Sequence, residues 1–487
     1  VKRTHISIVV AIALVIGAVF AFNANAEPQI KTLENGMTLL LNPIEGQDKI
    51  AVVLAYHAGA DAQTPQDAGL FKFLEYVLFN GPATKPGIAE PASAIDVLEP
   101  SAIEGGVGLD RFEFGFSTNK QNLVTALDTV QYLFSRERKD VNFAQPDGIE
   151  LARQSARALI QNELNDSDQV SNMAINKKLF SRAPYRVDIL GADYILEKAD
   201  VTLLKALDAK WLVPNNACLA IAGGFDTEAL LPLIEARFGK LPKAQNPWPS
   251  TLPVLPKPGV TRPTFLVFPD SSIPSGQMHV EIRYRGPDPS NTKAYQASLL
   301  LQALADDPAS RFQTAVAKGL PKGSAPENVQ IVYEPSRSAS WLAIQSDITV
   351  PSGKNPADLV FTFKELVRST ELYMMKINAS YFSAAQYQAA RTALLEEKMA
   401  EAGDPMLSAE HMATLWGYGI SPFMLQESDA IMKSGQKDIS ELVDTYVQKN
   451  LEVVMVRIDP SLFEKYTKSF SNYGFETAGP KNSFWWR

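Results

Sequence analysis

In His279-Val280-Glu281-Ile282-Arg283-Tyr284 polar and apolar residues alternate strictly, the period of a strand with two different faces. That pattern predicts a strand over 278–284, and the apolar run at 50–57 predicts another. An apolar helix is expected after each strand, at 68–79 and at 294–305. Longer helical tracts follow at 148–164 and 380–401. Each series then closes on a helix, a strand and a helix: 202–211, 217–222 and 227–238 in the first, 439–450, 452–458 and 460–466 in the second. The same order twice reads as an internal repeat. Strands and helices mix without a strict βαβ rhythm, which predicts α+β layers and not a doubly wound sheet.

The two series are separated by Asn246-Pro247-Trp248-Pro249-Ser250-Thr251-Leu252-Pro253-Val254-Leu255-Pro256-Lys257-Pro258-Gly259. Five prolines in fourteen residues prevent regular helix and favour an extended linker. The expected organisation is a leader at 1–26, a first domain at 27–245, the linker at 246–262 and a second domain at 263–487. The leader is read from Lys2 and Arg3, the apolar run at 6–22, and Ala24-Asn25-Ala26, which has the form of a signal-peptidase site cut after Ala26. The run is slightly short for a membrane span, and an uncleaved anchor is the alternative. With a leader and a lone Cys218, which excludes an internal disulfide, the expected location is periplasmic or secreted. The net charge of −8 and the absence of a basic tract argue against a nucleic-acid partner.

The candidate chemistry lies in the first apolar helix. Gly69-Leu70-Phe71-Lys72-Phe73-Leu74-Glu75-Tyr76 resembles the zinc helix of the pitrilysin/insulinase peptidases, the M16 family, whose motif is H-x-x-E-H. Residues at i and i+4 share one helix face, so two His there can hold a zinc while the Glu polarises its water. Here the ligand positions carry Lys72 and Tyr76, and only Glu75 survives. Further landmarks follow in the family's order. They are Leu33-Glu34-Asn35-Gly36-Met37, Tyr56-His57-Ala58-Gly59-Ala60, Pro214-Asn215-Asn216-Ala217, Gly223-Gly224-Phe225-Asp226 and Phe238-Gly239-Lys240-Leu241-Pro242. The resemblance covers about residues 30–470. It implies two related α/β-layer domains of the LuxS/MPP-like kind.

By the same resemblance Glu163, in Gln161-Asn162-Glu163-Leu164, is the candidate third ligand, with Ala156 where the family often has a supporting Glu. The spacing from Tyr76 to Glu163 implies a local insertion near 139–148. Gly105, Gly106, Val107 and Gly108, followed by residues 111–116, resemble the edge strand that pairs with extended peptides. An active enzyme also uses an Arg and a Tyr from its second half; Ala317 and Ser324 stand there, unless a gap brings Tyr333 into the Tyr role.

Other chemistry is sparse. None of the four His lies three or four residues from another, and no Walker loop, G-x-S-x-G elbow or dinucleotide fingerprint occurs. The aromatic run Phe484-Trp485-Trp486 is either a tail folded on its own domain or an anchor for a partner. The resemblance implies a secreted, inactive M16 homologue: the non-catalytic subunit of an assembly with a zinc-bearing relative, or a self-dimer. The alternatives are a peptidase with altered metal ligands around Glu75 and a peptide-binding scaffold. No cofactor is expected, zinc being the family's metal. An electrostatic replacement is expected at the old metal position, with Lys72 and Tyr76 tying Glu75 to Glu163 across two helices.

Overall fold

Apolar runs among the described residues form the inner strands of two six-stranded sheets, in an α+β fold. The computed structural model describes residues 28–80, 103–133, 135–248, 260–307 and 310–487; the expected leader and most of the linker lie outside them. The first sheet contains β1 (Gln29–Thr32), β2 (Thr38–Pro43), β3 (Lys49–Tyr56), β4 (Ile103–Val107), β5 (Phe112–Asn119) and β6 (Ala217–Gly223), in the order β1-β2-β6-β3-β5-β4. The second contains β7 (Thr264–Pro269), β8 (Gln277–Arg285), β9 (Gln330–Glu334), β10 (Trp341–Thr349), β11 (Val453–Ile458) and β12 (Glu476–Thr477), in the order β12-β7-β11-β8-β10-β9.

The repeat is exact in register across five strands. Thr38, Cys218, Ala55, Glu113 and Gly106 form one row of the first sheet. Thr264, Val453, Arg283, Ala343 and Val332 form the matching row of the second. In both sheets the second strand in the order runs from Thr to Pro and lies parallel to the third. Only the outermost strand differs: β1 is antiparallel to β2, whereas β12 is parallel to β7.

Six helices build the site and join the halves: α1 (Leu70–Asn80), α2 (Pro146–Asn165), α3 (Ser167–Leu179), α4 (Thr292–Asp306), α5 (Arg311–Gly319) and α6 (Pro405–Gly417). Asp166 breaks the chain between α2 and α3, its carboxylate accepting from the N–H groups of Asp168 and Gln169. Asp404 does the same between the helix Ala384–Gly403 and α6, with Pro405 at the first helical position. An Asp cap satisfies the new helix's free donors and lets the chain change direction within one residue.

Each redirected helix packs on the sheet of the other half. Ala409, Met412, Ala413 and Trp416 of α6 share a core with Leu40, Ala51, Val53, Ala55, Cys218, Ala220 and Ala222. The many alanines there bring the helix close to the strands. Val170, Met173 and Ala174 of α3 share a core with Leu266, Phe268, Val453 and Met455 of the second sheet. With both faces covered, β3 and β6 read as unbroken apolar runs.

The same exchange covers the polar face of β8. Its polar face does not meet water: Glu281, Arg283 and Arg285 are buried. Arg283 bonds Glu281 at 2.5 Å and donates to Asn172 and Asn176 of α3 at 2.6 and 3.2 Å. The segment 111–116 is likewise not at an edge, because β5 lies between β3 and β4; the terminal strand is β4.

Candidate functional site

Helix α1 buries Leu70, Phe71, Phe73, Leu74, Val77 and Leu78 and turns Lys72, Glu75 and Tyr76 toward the partly open side. This is the spacing of an amphipathic helix. The Lys72 ammonium donates to both oxygens of Glu75, at 2.8 and 3.0 Å, and lies 5.3 Å from the centre of the Tyr76 ring. Glu75 Oε2 also accepts the N–H of Val107, at 2.8 Å, on the edge strand. Gly106 makes that approach possible: a Cβ there would lie 3.2 Å from Glu75 Oε2, and its φ of +144° suits glycine.

The second half holds a counterpart of this arrangement. Val107 and Tyr333 hold equivalent places, one residue beyond the matched row. The Tyr333 N–H donates to Gln302 Oε1 of α4 at 2.9 Å. Buried and half-buried positions follow one pattern over 70–78 and 297–305, which sets Glu75 against Gln302, Lys72 against Leu299 and Tyr76 against Ala303. In each half, then, a helix side chain satisfies an outward N–H of the edge strand. A carboxylate does so in one half and a neutral amide in the other.

Glu163 lies near the C-terminal end of α2, which packs against α1. Burial pushes its carboxyl up to about 8, and the neighbouring Asp188 and Asp166 add to the rise. Lys72 is bonded to Glu75 within its own helix, and no side chain among the described residues bonds the Glu163 carboxylate. The expected tie between the two helices through Lys72 and Tyr76 is therefore not made; α1 and α2 are joined by apolar packing. These residues do not fit zinc. An ammonium and a phenol stand at two ligand positions, and Glu75 is already held by Lys72 and Val107. Among the described residues no group of three or more His, Cys, Asp or Glu side chains is placed to hold a metal ion.

The remaining candidates are scattered. Ala317 is buried on α5, and Ser324 lies in the loop after it with its hydroxyl buried and unpartnered. Tyr333 is on β9, its hydroxyl donating to the Pro287 carbonyl, so it is part of the core of the second half. Gly105, Gly106 and Val107 lie on β4 and Gly108 just beyond. The three His in the described residues serve packing or pairing: His57 stacks on Trp416 at 3.6 Å, His279 pairs with Asp347, and His411 with Glu427.

Sequence reasoning missed Asp188 and Lys177. Asp188 is buried, and its Oδ1 accepts from the N–H groups of Leu190 and Gly191. Its Oδ2 accepts the indole N–H groups of Trp485 and Trp486, at 2.7 and 3.3 Å. Burial pushes its carboxyl up to about 6 even against those four donors. The position of Asp188 two residues before Leu190-Gly191 was a legible turn signal.

Residues 198–394 match the peptidase M16 inactive domain. A relative, the probable zinc protease PqqL of Escherichia coli (strain K12), is 24% identical over 237 residues, 45% of this chain and 24% of that protein. The chain thus matches about a quarter of that relative's length in sequence; the solved structure of PqqL is matched over 93% of this chain and 51% of that one, with a TM-score of 0.65. A peptidase M16 inactive domain from Pseudomonas fluorescens has a TM-score of 0.71 at 14% identity, over 89% of this chain and 98% of that one. A chain of complex III2 from Candida albicans has a TM-score of 0.66 at 15% identity, over 92% and 100%. The vacant H-x-x-E-H helix set in this fold, with the inactive-domain match over 198–394, supports placing the chain as a degenerate member of the M16 peptidase family.

Proposed function

We propose that this protein is a non-catalytic M16 subunit that works in an assembly, either with a zinc-bearing relative or with a second copy of itself. The observation that carries the reading is the use of Glu75. A general base has to reach the water it deprotonates. Glu75 instead holds the edge strand through Val107 and is balanced by Lys72, the role that Gln302 fills in the second half. An amide cannot act as a base, so the bond needs only an acceptor. With the zinc positions taken by Lys72 and Tyr76, no zinc-activated water is available. The edge strand at Gly105, Gly106, Val107 and Gly108 is left as a surface for an extended peptide, reduced by the donor that Glu75 already occupies. Support for an assembly comes from the complex III2 chain of similar fold and from PqqL, of which this chain spans about half in structure. A periplasmic or secreted location is proposed from the leader-like sequence and from that relative, a periplasmic protease. Among the described residues no helix is long and apolar enough to cross a membrane.

The test is a metal analysis and a peptidase assay on the purified chain, with Glu75→Gln beside it. Zinc well below one per chain and peptide hydrolysis no faster than in buffer are expected. Chelator-sensitive hydrolysis that disappears in Glu75→Gln would overturn the reading.

A further inference from the structure

The last residues of the sequence do not fold on their own half. After β12 the chain runs onto the first half, where Phe484 is buried in the core that this half shares with β7 and β11, and Trp485 and Trp486 pack against it. Trp485 also meets Tyr185 edge-on at 6.0 Å. Two polar groups of the first half recognise this segment. Asp188 Oδ2 takes both indole N–H groups. The Lys177 ammonium donates to three main-chain carbonyls, of Asn482, Phe484 and Arg487, at 2.9, 2.8 and 2.9 Å.

The helix exchange already welds the two halves together, so this contact is not needed to join them. Its chemistry is that of peptide recognition: a cation reading backbone carbonyls, an acid reading indole donors, and an apolar floor between them. All three ammonium donors go to the segment and none to a carboxylate of the first half. The acid is buried and would be left with a free oxygen if the segment departed.

We infer that the first half carries a binding site for an aromatic peptide segment, built on Asp188, Lys177 and Tyr185, and that residues 482–487 occupy it in cis as a tethered ligand. An incoming peptide with adjacent indoles would have to displace that segment. The inference does not depend on the loss of peptidase activity.

The probe is the acetylated hexapeptide Asn-Ser-Phe-Trp-Trp-Arg carrying a fluorophore, titrated by anisotropy. It should bind a chain ending at Lys481 saturably and should not bind the full chain. Asp188→Asn or Lys177→Met in the shortened chain should weaken binding by about tenfold, the scale of one charge-assisted hydrogen bond. If shortening prevents folding, the full chain with Trp485→Ser and Trp486→Ser replaces it with the same expectations. A folded shortened or double-variant chain that fails to bind the peptide overturns the inference. So does equal binding to the full chain, or binding indifferent to Asp188 and Lys177.

Discussion

Glu75 and Gln302 make the same bond from the same place on two helices, and this fixes what their replacement should do. Glu75→Gln keeps an acceptor for the Val107 N–H and loses only the charge facing Lys72, so a loss of about 1 kcal/mol is expected. Glu75→Ala leaves that N–H without its partner, and a further loss of about 1–3 kcal/mol is expected. Urea denaturation of the two variants checks this; equal losses would remove the strand-holding role. Lys72→Met should cost about 1–2 kcal/mol and not the about 3–5 kcal/mol of a broken buried pair between elements, because both partners sit on one helix. Glu163 gives a pH signature. Its folded value of about 8 lies above its ordinary 4.5, so the native chain binds the proton more tightly than the unfolded chain does. The stability tied to that proton is full below about pH 4.5 and is lost as pH rises toward about 8. Glu163→Gln removes this loss. Melting curves at about pH 5 and about pH 8 should therefore show the variant gaining on the parent at the higher pH, and parallel curves would contradict the assignment.

At the scale of elements, the two exchanged helices bury apolar faces of one half against the other. Met412 of α6 and Met173 of α3 are nearly buried, each against the opposite sheet. Met412→Ala and Met173→Ala should each cost about 2–5 kcal/mol in chemical denaturation. Losses below about 1 kcal/mol would mean that the exchanged helices are not core. The sequence made most of this scaffold legible. Period-2 and apolar runs located β3, β8 and both apolar helices, and the repeated order located the repeat, because local periodicity reports which side of an element is dry. The exchange was not legible, because periodicity says that a face is covered and not by what. β8 shows the limit. Its polar residues alternate as on a wet face, yet Arg283 and Glu281 neutralise each other beneath α3. The site divides the same way. The replaced motif at Lys72, Glu75 and Tyr76 was readable residue by residue. The bond from Val107 to Glu75 was not, since it depends on how β4 returns over α1. Nor could the aromatic run have been given its acceptor, because Asp188 lies 297 residues from Trp485.

For the whole molecule, interleaving has a consequence for unfolding. Neither half can open without exposing the apolar face that the other half's helix covers, so the halves should unfold together despite the linker between them. Calorimetry is expected to show one transition whose calorimetric and van't Hoff enthalpies agree, with two resolved transitions as the contrary result. In the proposed assembly, a second unit would cover the face that carries Glu75 and the edge strand β4. If so, the covering unit should pair with this chain over an area typical of specific complexes, about 1,200–2,000 Å². Sedimentation at rising concentration, alone and mixed with a zinc-bearing relative from the same source, measures this. Pairing is expected in at least one of the two samples. A monomer in both samples up to the highest soluble concentration would leave this fold complete as a single chain and remove the assembly from its function.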